Sequence, residues 1–235
     1  HFIGIGGIGM GALATLLIEK GCKVSGSDVK ENSMTKNLKD LGARIYIGHD
    51  AAHINGAEVV VYSSAIQADN PEMMEARRKG VPILQRAKLL ANLMREHEGI
   101  TIAGAHGKTT TTSMVANLLI QAGLNPTTAV GGIVGGTKSN ARLGGGKYFV
   151  SEVDESDGSF LNFTPKYSII TNIDLEHLDY YKNWNSICQA YEEFIGRTQK
   201  DGRLIVCGED ENLLKIVQAS QLPYQTYGLS PQHHI

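Results

Sequence analysis

Residues 100–112 read ITIAGAHGKTTTT, an apolar run that passes through a glycine-containing turn into a segment compatible with a helix. A strand, a glycine turn and a helix in this order present backbone amides to phosphate oxygens, while the lysine reaches the outer phosphates. The spacing departs from the strict phosphate-loop pattern, because position 102 is isoleucine and the earlier glycine stands at position 104. We predict an ATP site, against the alternative of a chance Gly-Lys-Thr turn. The predicted nucleotide-binding residues are Gly104, Ala105, His106, Gly107, Lys108, Thr109 and Thr110.

On both sides of this loop, short apolar runs alternate with segments of helical period, which is typical of a parallel sheet covered by helices. The predicted fold class is α/β, with a Rossmann-like parallel-sheet domain followed by a P-loop ATPase-type domain. Predicted strands are HFIGI (1–5), KVSGS (23–27), RIYIG (44–48), EVVVYSS (58–64), VPILQ (81–85), ITIAG (100–104), KYFVSEV (147–153), YSIITN (167–172), RLIVC (203–207) and YQTYG (224–228). Predicted helices span 10–20, 34–41, 71–79, 86–96, 108–122 and 186–198, the last with Asn185 as its N-cap, and one more begins at Glu211.

The polar stretch 97–99 separates the two halves of this pattern and is the predicted domain boundary. It gives a first domain over residues 1–97 and a second over 98–235. The run HFIGI at the start already has the character of a buried strand, so we expect the chain to be a piece of a longer protein. The end of the chain stops after the strand-like YQTYG, so we expect the second domain to be incomplete.

Composition and charge exclude several classes of function. With 24 acidic and 22 basic residues the net charge is -2, which gives no field to hold nucleic acid or an anionic membrane. No apolar stretch approaches the roughly 20 residues needed to cross a bilayer. The three cysteines, Cys22, Cys188 and Cys207, lack C-x-x-C spacing, which argues against a disulfide framework or a thiolate metal site and favours the cytoplasm. The sequence gives no basis for predicting an oligomeric state.

A second glycine turn, GIGGIG at residues 4–9, lies between the first predicted strand and the first helix. This pattern lets backbone amides approach a diphosphate at a helix N-terminus. Asp28 ends the next strand, where an acidic residue binds ribose hydroxyls in a dinucleotide fold, so the motif alone indicates NAD; the alternative is tight packing. Serines and an arginine at the ends of two later strands favour a nucleotide sugar instead, although they could equally be a helix cap and a surface arginine. The predicted substrate-binding residues are Gly6, Gly7, Gly9, Asp28, Ser63, Ser64 and Arg86.

Two polar segments, SEVDESDG (151–158) and TNIDLEHLD (171–179), each follow a predicted strand. The four carboxylates of the first would repel one another unless some bind cations, and Mg²⁺ needs only one or two of them. Solvated loop acids are the alternative. His177 in the second segment could ligate a second cation or orient substrate, or it could simply pack.

Taken together, GIGGIGM, GSD, SSAI followed by NP, QRA, GAHGKTTTT, EVDESDGSFL and TNIDLEHLD resemble the Mur ligase family, in order along nearly the whole chain. The resemblance implies a three-domain, ATP-dependent ligase of peptidoglycan precursor synthesis. Its first domain would hold UDP-N-acetylmuramate, its central domain ATP, and its C-terminal domain the amino acid. ATP would phosphorylate the muramoyl carboxylate, and the amine of L-alanine would attack the acyl phosphate to give an amide, ADP and phosphate.

The resemblance also implies roles for single residues. Lys108 and Mg²⁺ would spread the charge of the transferred phosphoryl group, and Asn172 would contact the muramoyl sugar. Thr109 and Glu152 would hold one magnesium and His177 a second. Several members of the family carry a carbamoylated lysine on the helix after the histidine motif, but residues 183–196 contain no lysine. Glu192 or Glu193 is the predicted substitute for that charge.

Two alternative functions remain open at this point. One is a ligase of the same family that attaches a recycled murein tripeptide to the same sugar nucleotide. The other is an NAD-binding regulatory module fused to an NTPase. In either ligase the present chain alone is expected not to catalyse ligation, because the amino-acid-seating domain lies outside it.

Overall fold

The computed structural model describes residues 1–131 and 140–233 of the chain. The chain divides into two compact units, His1–Leu90 with Ala129–Leu143 and Ala91–Thr128 with Gly144–Ile235. The sequence gives no sign that a segment near residues 129–143 groups with the first unit. The predicted second domain, 98–235, includes residues outside the described ranges, and the boundary after residue 97 stays a prediction.

Within residues 1–131 and 140–233, the first sheet has five parallel strands in the order β3-β2-β1-β4-β5. The direction of winding reverses at β1, which pairs with β2 on one side and β4 on the other. Sheets of this kind bind ligands in the crevice at the carboxyl ends of the strands beside such a reversal. The strands are β1 Phe2–Ile3, β2 Ser25–Asp28, β3 Arg44–Ile47, β4 Val60–Tyr62 and β5 Ile83–Gln85.

The described helices that accompany this sheet are α1 Ile8–Glu19, α2 Ser33–Asp40, α3 Pro71–Lys79 and α4 Arg86–Met94. The helix α3 matches its predicted bounds because its local signals are strong at both ends. Asn70 accepts hydrogen bonds from the first turn, proline occupies the first position, and Gly80 ends the helix with φ 68°. The helix α1 begins two residues earlier than predicted, since Gly7 caps it without a side chain.

Among the residues that the structure describes, the second sheet has seven strands in the order β12-β11-β10-β6-β9-β7-β8. The five strands from β12 to β9 pair in parallel. Because β9 and β10 flank β6, the segments that follow these three strands emerge at the same edge of the sheet. The strands are β6 Glu98–Ala103, β7 Thr127–Ala129, β8 Ala141–Arg142, β9 Tyr148–Glu152, β10 Tyr167–Ile170, β11 Arg203–Cys207 and β12 Tyr224–Tyr227.

The helices of the second part are α5 Lys108–Gln121, α6 Leu178–Tyr181, α7 Trp184–Gly196 and α8 Glu211–Ala219. The predicted apolar face of α7 is confirmed, since Ile187, Tyr191, Phe194 and Ile195 are all buried. The rings of Phe160 and Phe194 stack with centroids 4.9 Å apart. Full burial of an aromatic side chain of this size contributes about 1.5–3 kcal/mol.

The predicted N-cap of α7 was wrong. Asn183, not Asn185, accepts a hydrogen bond from the Ser186 backbone amide at 2.9 Å. Lys182 turns the chain with a φ of 65° and Asn183 is extended, so the helix begins at Trp184. Asn185 consequently lies inside the first turn.

The sequence reading also missed several short elements. These are β7, β8, α6 and the 3-10 helices Ala51–Ile54 and Ser159–Asn162. The strand β6 begins at Glu98, two residues before its predicted start, and Glu98 pairs with Tyr148 of β9. No helix in residues 1–131 or 140–233 is long and apolar enough to span a membrane.

Candidate active site

The glycine turn after β1 leads directly into α1. Gly4 has a φ of 80°, and the carbonyl of Ser27 accepts hydrogen bonds from the amides of Gly4 and Ile5 at 2.8 and 3.0 Å. Gly6 is buried, whereas Gly7 is exposed and caps the helix. The first-turn amides of a helix have no acceptor within it. An anion can therefore approach the positive end of α1.

Asp28 and Asn32 brace this turn. The Asp28 Oδ2 accepts a hydrogen bond from the Gly6 backbone amide at 2.8 Å, and the Asn32 side-chain Nδ2 donates to the Gly6 carbonyl at 3.1 Å. A Cβ on Gly6 would lie 2.7 Å from Asn32 Nδ2, so only glycine fits without a shift. The Asp28 carboxylate, predicted to bind substrate, is thus engaged by the turn itself. The amides left for an anion are those that follow Gly6.

Ser63 and Arg86 lie against the same turn. A Cβ on Gly4 would be 3.2 Å from Ser63 Oγ, and a Cβ on Gly9 would be 2.9 Å from Arg86 Nη1. The absence of a side chain at Gly9 therefore makes room for the guanidinium over the start of α1. Ser64 is exposed in the turn that follows β4. The carboxyl ends of β1, β4 and β5 thus bring glycines, a hydroxyl and an arginine together.

The loop between β6 and α5 takes the course expected of a phosphate loop. Gly104 and Gly107 have φ angles of 134° and 81°, and Gly107 caps α5. A Cβ on Gly104 would overlap Thr171 Oγ1 and approach the Asn172 carbonyl oxygen to 3.0 Å. Both glycines are required by backbone conformation, and Gly104 is also required by space. His106, Gly107, Thr109 and Thr110 are exposed, with their segment open to a ligand.

Lys108 folds back over this loop. Its Nζ donates to the carbonyl oxygens of Gly104 at 2.5 Å and Ala105 at 3.2 Å. The third partner is Glu155, whose Oε1 lies 2.8 Å from Lys108 Nζ. The lysine side chain is 21% exposed, so the ammonium group is held in place before any phosphate binds.

The rim of the loop carries a hydroxyl and a carboxylate in contact. Thr109 Oγ1 donates to Glu152 Oε2 at 2.8 Å. Both are hard oxygen donors of the kind Mg²⁺ prefers, and Mg²⁺ keeps several waters rather than a full set of protein ligands. In the described part of the chain, no three His, Cys, Asp or Glu side chains are grouped to hold a metal. The pair therefore fits magnesium bound jointly with phosphate oxygens better than a metal enclosed by protein.

Asn172 braces the phosphate loop from β10. Its side-chain Oδ1 accepts a hydrogen bond from the His106 backbone amide at 2.9 Å, and its Nδ2 donates to the His106 carbonyl at 3.0 Å. Thr171 Oγ1 donates to the same carbonyl at 2.7 Å. The family resemblance implied that Asn172 contacts the muramoyl sugar, whereas both polar atoms of its side chain contact the loop backbone. This geometry favours a supporting role.

Two histidines lie beside the loop. The His106 ring nitrogen Nε2 is 3.2 Å from Asp174 Oδ2 and 3.8 Å from Glu176 Oε1. Two hydrogen bonds lower the pKa of the Asp174 carboxyl. The larger effect comes from the Leu175 backbone amide and the smaller from His106. His177 has a φ of 55°, and its Nε2 lies 3.5 Å from Glu155 Oε1 and 3.9 Å from Glu176 Oε2. His177 thus shares a carboxylate oxygen with Lys108.

Sequence reasoning missed the part played by Glu155 and Tyr181. The Tyr181 hydroxyl donates to the Glu155 carbonyl, and burial raises the pKa of Tyr181, so the phenol remains a donor. Glu192 and Glu193, predicted to supply a charge to the site, are exposed on α7, and Glu193 pairs with Arg197. The buried carboxylate beside Lys108 is Glu155. Only tertiary burial distinguishes it from its acidic neighbours, and the sequence carries no local signal for that.

Comparison with known proteins agrees with this geometry. Residues 1–98 match the family described as Mur ligase family, catalytic domain, and residues 102–235 match the Mur ligase middle domain. The chain belongs to the Mur ligase family. The predicted resemblance and the α/β fold class are therefore confirmed.

Mur ligases with curated names and solved structures are similar along most of the chain. The UDP-N-acetylmuramate--L-alanine ligase of Aquifex aeolicus is 50% identical over 98% of this chain. The UDP-N-acetylmuramate-alanine ligase structure from Thermotoga maritima is 37% identical, with a TM-score of 0.84 over 92% of this chain and 50% of its own. The UDP-N-acetylmuramate:L-alanyl-gamma-D-glutamyl-meso-diaminopimelate ligase structure from Neisseria meningitides is 29% identical, with a TM-score of 0.90 over 97% of this chain and 77% of its own.

These Mur ligase relatives fix the family more firmly than the amino-acid substrate. Sequence identity is higher to the alanine ligases, whereas the TM-score is slightly higher for the tripeptide ligase. The chain spans about half the length of the curated relatives, 51% for the Aquifex aeolicus ligase.

Proposed function

We propose that this chain forms the first two domains of an ATP-dependent ligase that joins UDP-N-acetylmuramate to L-alanine in peptidoglycan precursor synthesis. The observation that carries the proposal is the phosphate loop after β6, with Lys108 held over it and Thr109 against Glu152 at its rim. The 50% identity to a protein named UDP-N-acetylmuramate--L-alanine ligase supports the choice of substrates. A cytoplasmic location belongs to the same proposal, and the free cysteines are compatible with it.

In the proposed reaction, the second unit binds ATP. The amides of residues 104–110 cradle the phosphates, and Lys108 stabilises the negative charge that grows on the transferred phosphoryl group. Thr109 and Glu152 would hold Mg²⁺, and the bound ion would supply positive charge against the negative phosphates. His177 is proposed to hold a second cation beside the same loop. Asn172 acts indirectly, by fixing the loop through the His106 backbone.

The first unit is proposed to bind the diphosphate of UDP-N-acetylmuramate. The amides of Gly7 and Gly9 at the start of α1 and the guanidinium of Arg86 offer positive charge to it. Ser63 and Ser64 offer hydroxyl groups at the carboxyl end of β4. Asp28 contributes by holding Gly6 in the conformation that the turn needs.

The chemical logic follows from the poor reactivity of a carboxylate toward amines. Transfer of the terminal phosphoryl group of ATP to the muramoyl carboxylate gives an acyl phosphate and ADP. The alanine amine then attacks the acyl carbon, the C–N bond forms, and the C–O bond to phosphate breaks. Phosphate leaves and the amine loses a proton, so the products are an amide, ADP and phosphate.

The decisive experiment uses the complete ligase that carries this chain. Phosphate release is measured with ATP, Mg²⁺ and UDP-N-acetylmuramate, with either L-alanine or L-alanyl-γ-D-glutamyl-meso-diaminopimelate added. We expect release with alanine and its loss when EDTA removes Mg²⁺. Release with the tripeptide alone would identify a tripeptide ligase, the second candidate, which the TM-score of 0.90 to the Neisseria structure favours.

A binding experiment separates both ligases from an NAD-binding module. NADH and UDP-N-acetylmuramate are titrated separately against the purified protein by calorimetry. We expect binding of the sugar nucleotide and little binding of NADH, because the Asp28 carboxylate that would hold a ribose is engaged by Gly6. Tight NADH binding without sugar-nucleotide binding would reverse this assignment.

A further inference from the structure

Glu155 is the buried member of the acidic segment after β9. It is 3% exposed, whereas Glu152, Asp154 and Asp157 are all partly exposed. Asp154 and Asp157 each accept a backbone amide hydrogen bond within the loop. Those two carboxylates thus shape the loop, and Glu152 contacts Thr109. Glu155 reaches the lysine of the phosphate loop.

The contacts of Glu155 join two functional side chains. Its Oε1 lies 2.8 Å from Lys108 Nζ and 3.5 Å from His177 Nε2. Its backbone carbonyl accepts a hydrogen bond from the Tyr181 hydroxyl, which connects Glu155 to α6. The second oxygen, Oε2, is buried and has no hydrogen-bond partner among the described residues. A buried carboxylate oxygen without a hydrogen bond destabilises the folded protein. Its presence at Glu155 therefore requires an explanation.

We propose that Glu155 is a positioning residue that holds Lys108 and His177 at a fixed separation for phosphoryl transfer. Lysine is a point charge on a flexible four-carbon stem, and two carbonyl acceptors alone do not fix it. A buried carboxylate that binds the ammonium and lies 3.5 Å from the imidazole restricts both groups at once. The inference rests on the proposed ligase function, and it adds a residue to which no role had been given.

A purely structural role is the competing explanation. A buried ion pair stabilises little in net terms, although removing one partner is destabilising. A structural role predicts a lower melting temperature with unchanged turnover per folded molecule. A positioning role predicts loss of kcat in a folded enzyme, since displacing a reacting group by about 1 Å costs about 100-fold in rate.

The test compares Glu155→Gln, Glu155→Asp and Glu98→Gln in the complete ligase. Glu98 is the matched control, because its Oε1 also pairs with a lysine, Lys147, at 3.1 Å but near the start of β6. For Glu155→Gln we expect kcat to fall about 100-fold, with KM for UDP-N-acetylmuramate changed less than about threefold. Glu155→Asp keeps the charge and should recover part of the loss. Glu98→Gln should leave both constants unchanged.

A second readout does not depend on activity. Limited acetylation followed by peptide mass spectrometry reports how freely each lysine reacts. Glu155→Gln should raise labelling of Lys108 about threefold or more, because the ammonium loses its charged partner. Glu98→Gln should leave Lys108 unchanged. Melting temperatures of all variants establish that they are folded.

The outcomes separate the two proposals. Absence of alanine-dependent phosphate release in the unaltered enzyme overturns the proposed function, while Lys108 labelling still reports on Glu155. Unaltered kcat and unaltered Lys108 labelling in folded Glu155→Gln overturn the positioning role. If Glu155→Gln does not fold, Glu155→Asp decides, and wild-type kcat and labelling in that shortened variant overturn the proposal.

Discussion

At the scale of single residues, Lys108 carries the most specific expectation. Its ammonium group has three acceptors in the second unit, whereas the glycine turn at Gly6 lies in the first. Lys108→Ala should lower kcat of the complete ligase by about 10²–10³-fold, the cost of losing one charge-stabilising donor. Affinity for UDP-N-acetylmuramate should be unchanged by calorimetry. Equal loss of turnover and of sugar-nucleotide affinity would mean that the two sites are wrongly assigned.

The two glycines of the phosphate loop offer a matched pair for stability. Both have positive φ, but a Cβ on Gly104 would overlap Thr171, whereas a Cβ on Gly107 would meet nothing within 4 Å. Gly107→Ala should cost about 1–2 kcal/mol, the penalty of a left-handed conformation. Gly104→Ala should cost clearly more, because Thr171 and the Asn172 backbone must also shift. Urea unfolding of both variants checks the difference, and equal midpoints would contradict it.

The residue scale also shows where sequence reasoning succeeds. Gly104 and Gly107 were predictable because a turn between a strand and a helix needs glycine in known places. Glu155 was not, because four carboxylates stand within six residues and only the fold buries one of them. Asp28 and Asn172 were singled out for ligand contacts, yet both side chains contact backbone. Sequence indicates that such residues matter near a site, but which partner they contact depends on tertiary geometry.

At the scale of elements, the start of α7 gives a sharp prediction. The Asn183 side chain accepts the Ser186 amide at 2.9 Å, whereas Asn185 lies within the first turn. Asn183→Ala should lower the free energy of unfolding by about 1 kcal/mol, the usual value of a cap. Asn185→Ala should change it by less than about 0.5 kcal/mol. Chemical denaturation of the two variants measures this difference. A larger effect at position 185 would show that Asn183 is not the N-cap.

The elements that sequence analysis found and missed differ in one physical respect. Long apolar runs such as those in β6, β9, β10 and β11 are visible because burial on both faces requires them. The strand β7 is only Thr127–Ala129, with two threonines that are buried by their neighbours in the sheet. The helix α6 has four residues, too few for a helical period to register. Short elements are determined by packing around them rather than by their own pattern.

At the scale of the whole molecule, the first compact unit is built from two segments that are far apart in the sequence. The segment Ala129–Leu143 groups with the first unit although it follows β6 and α5 in sequence. Asn140 is 5% exposed and donates to the Ile8 carbonyl at 2.7 Å, and the Leu143 amide donates to Glu19 at 2.7 Å. Both ends of α1 are therefore held by residues from far along the chain. A cut after residue 97 would remove these contacts from α1.

This long-range support can be measured by hydrogen exchange. Asn140→Ala removes one neutral hydrogen bond, worth about 1 kcal/mol, so the protected amides of α1 should exchange roughly fivefold faster. Amides of α5 and α7, in the second unit, should exchange as before. Asn162→Ala is the control, since its side chain donates to the nearby Ser159 carbonyl at 2.8 Å. Unaltered exchange in α1 after Asn140→Ala would show that the helix at the glycine turn does not depend on the later segment for its stability.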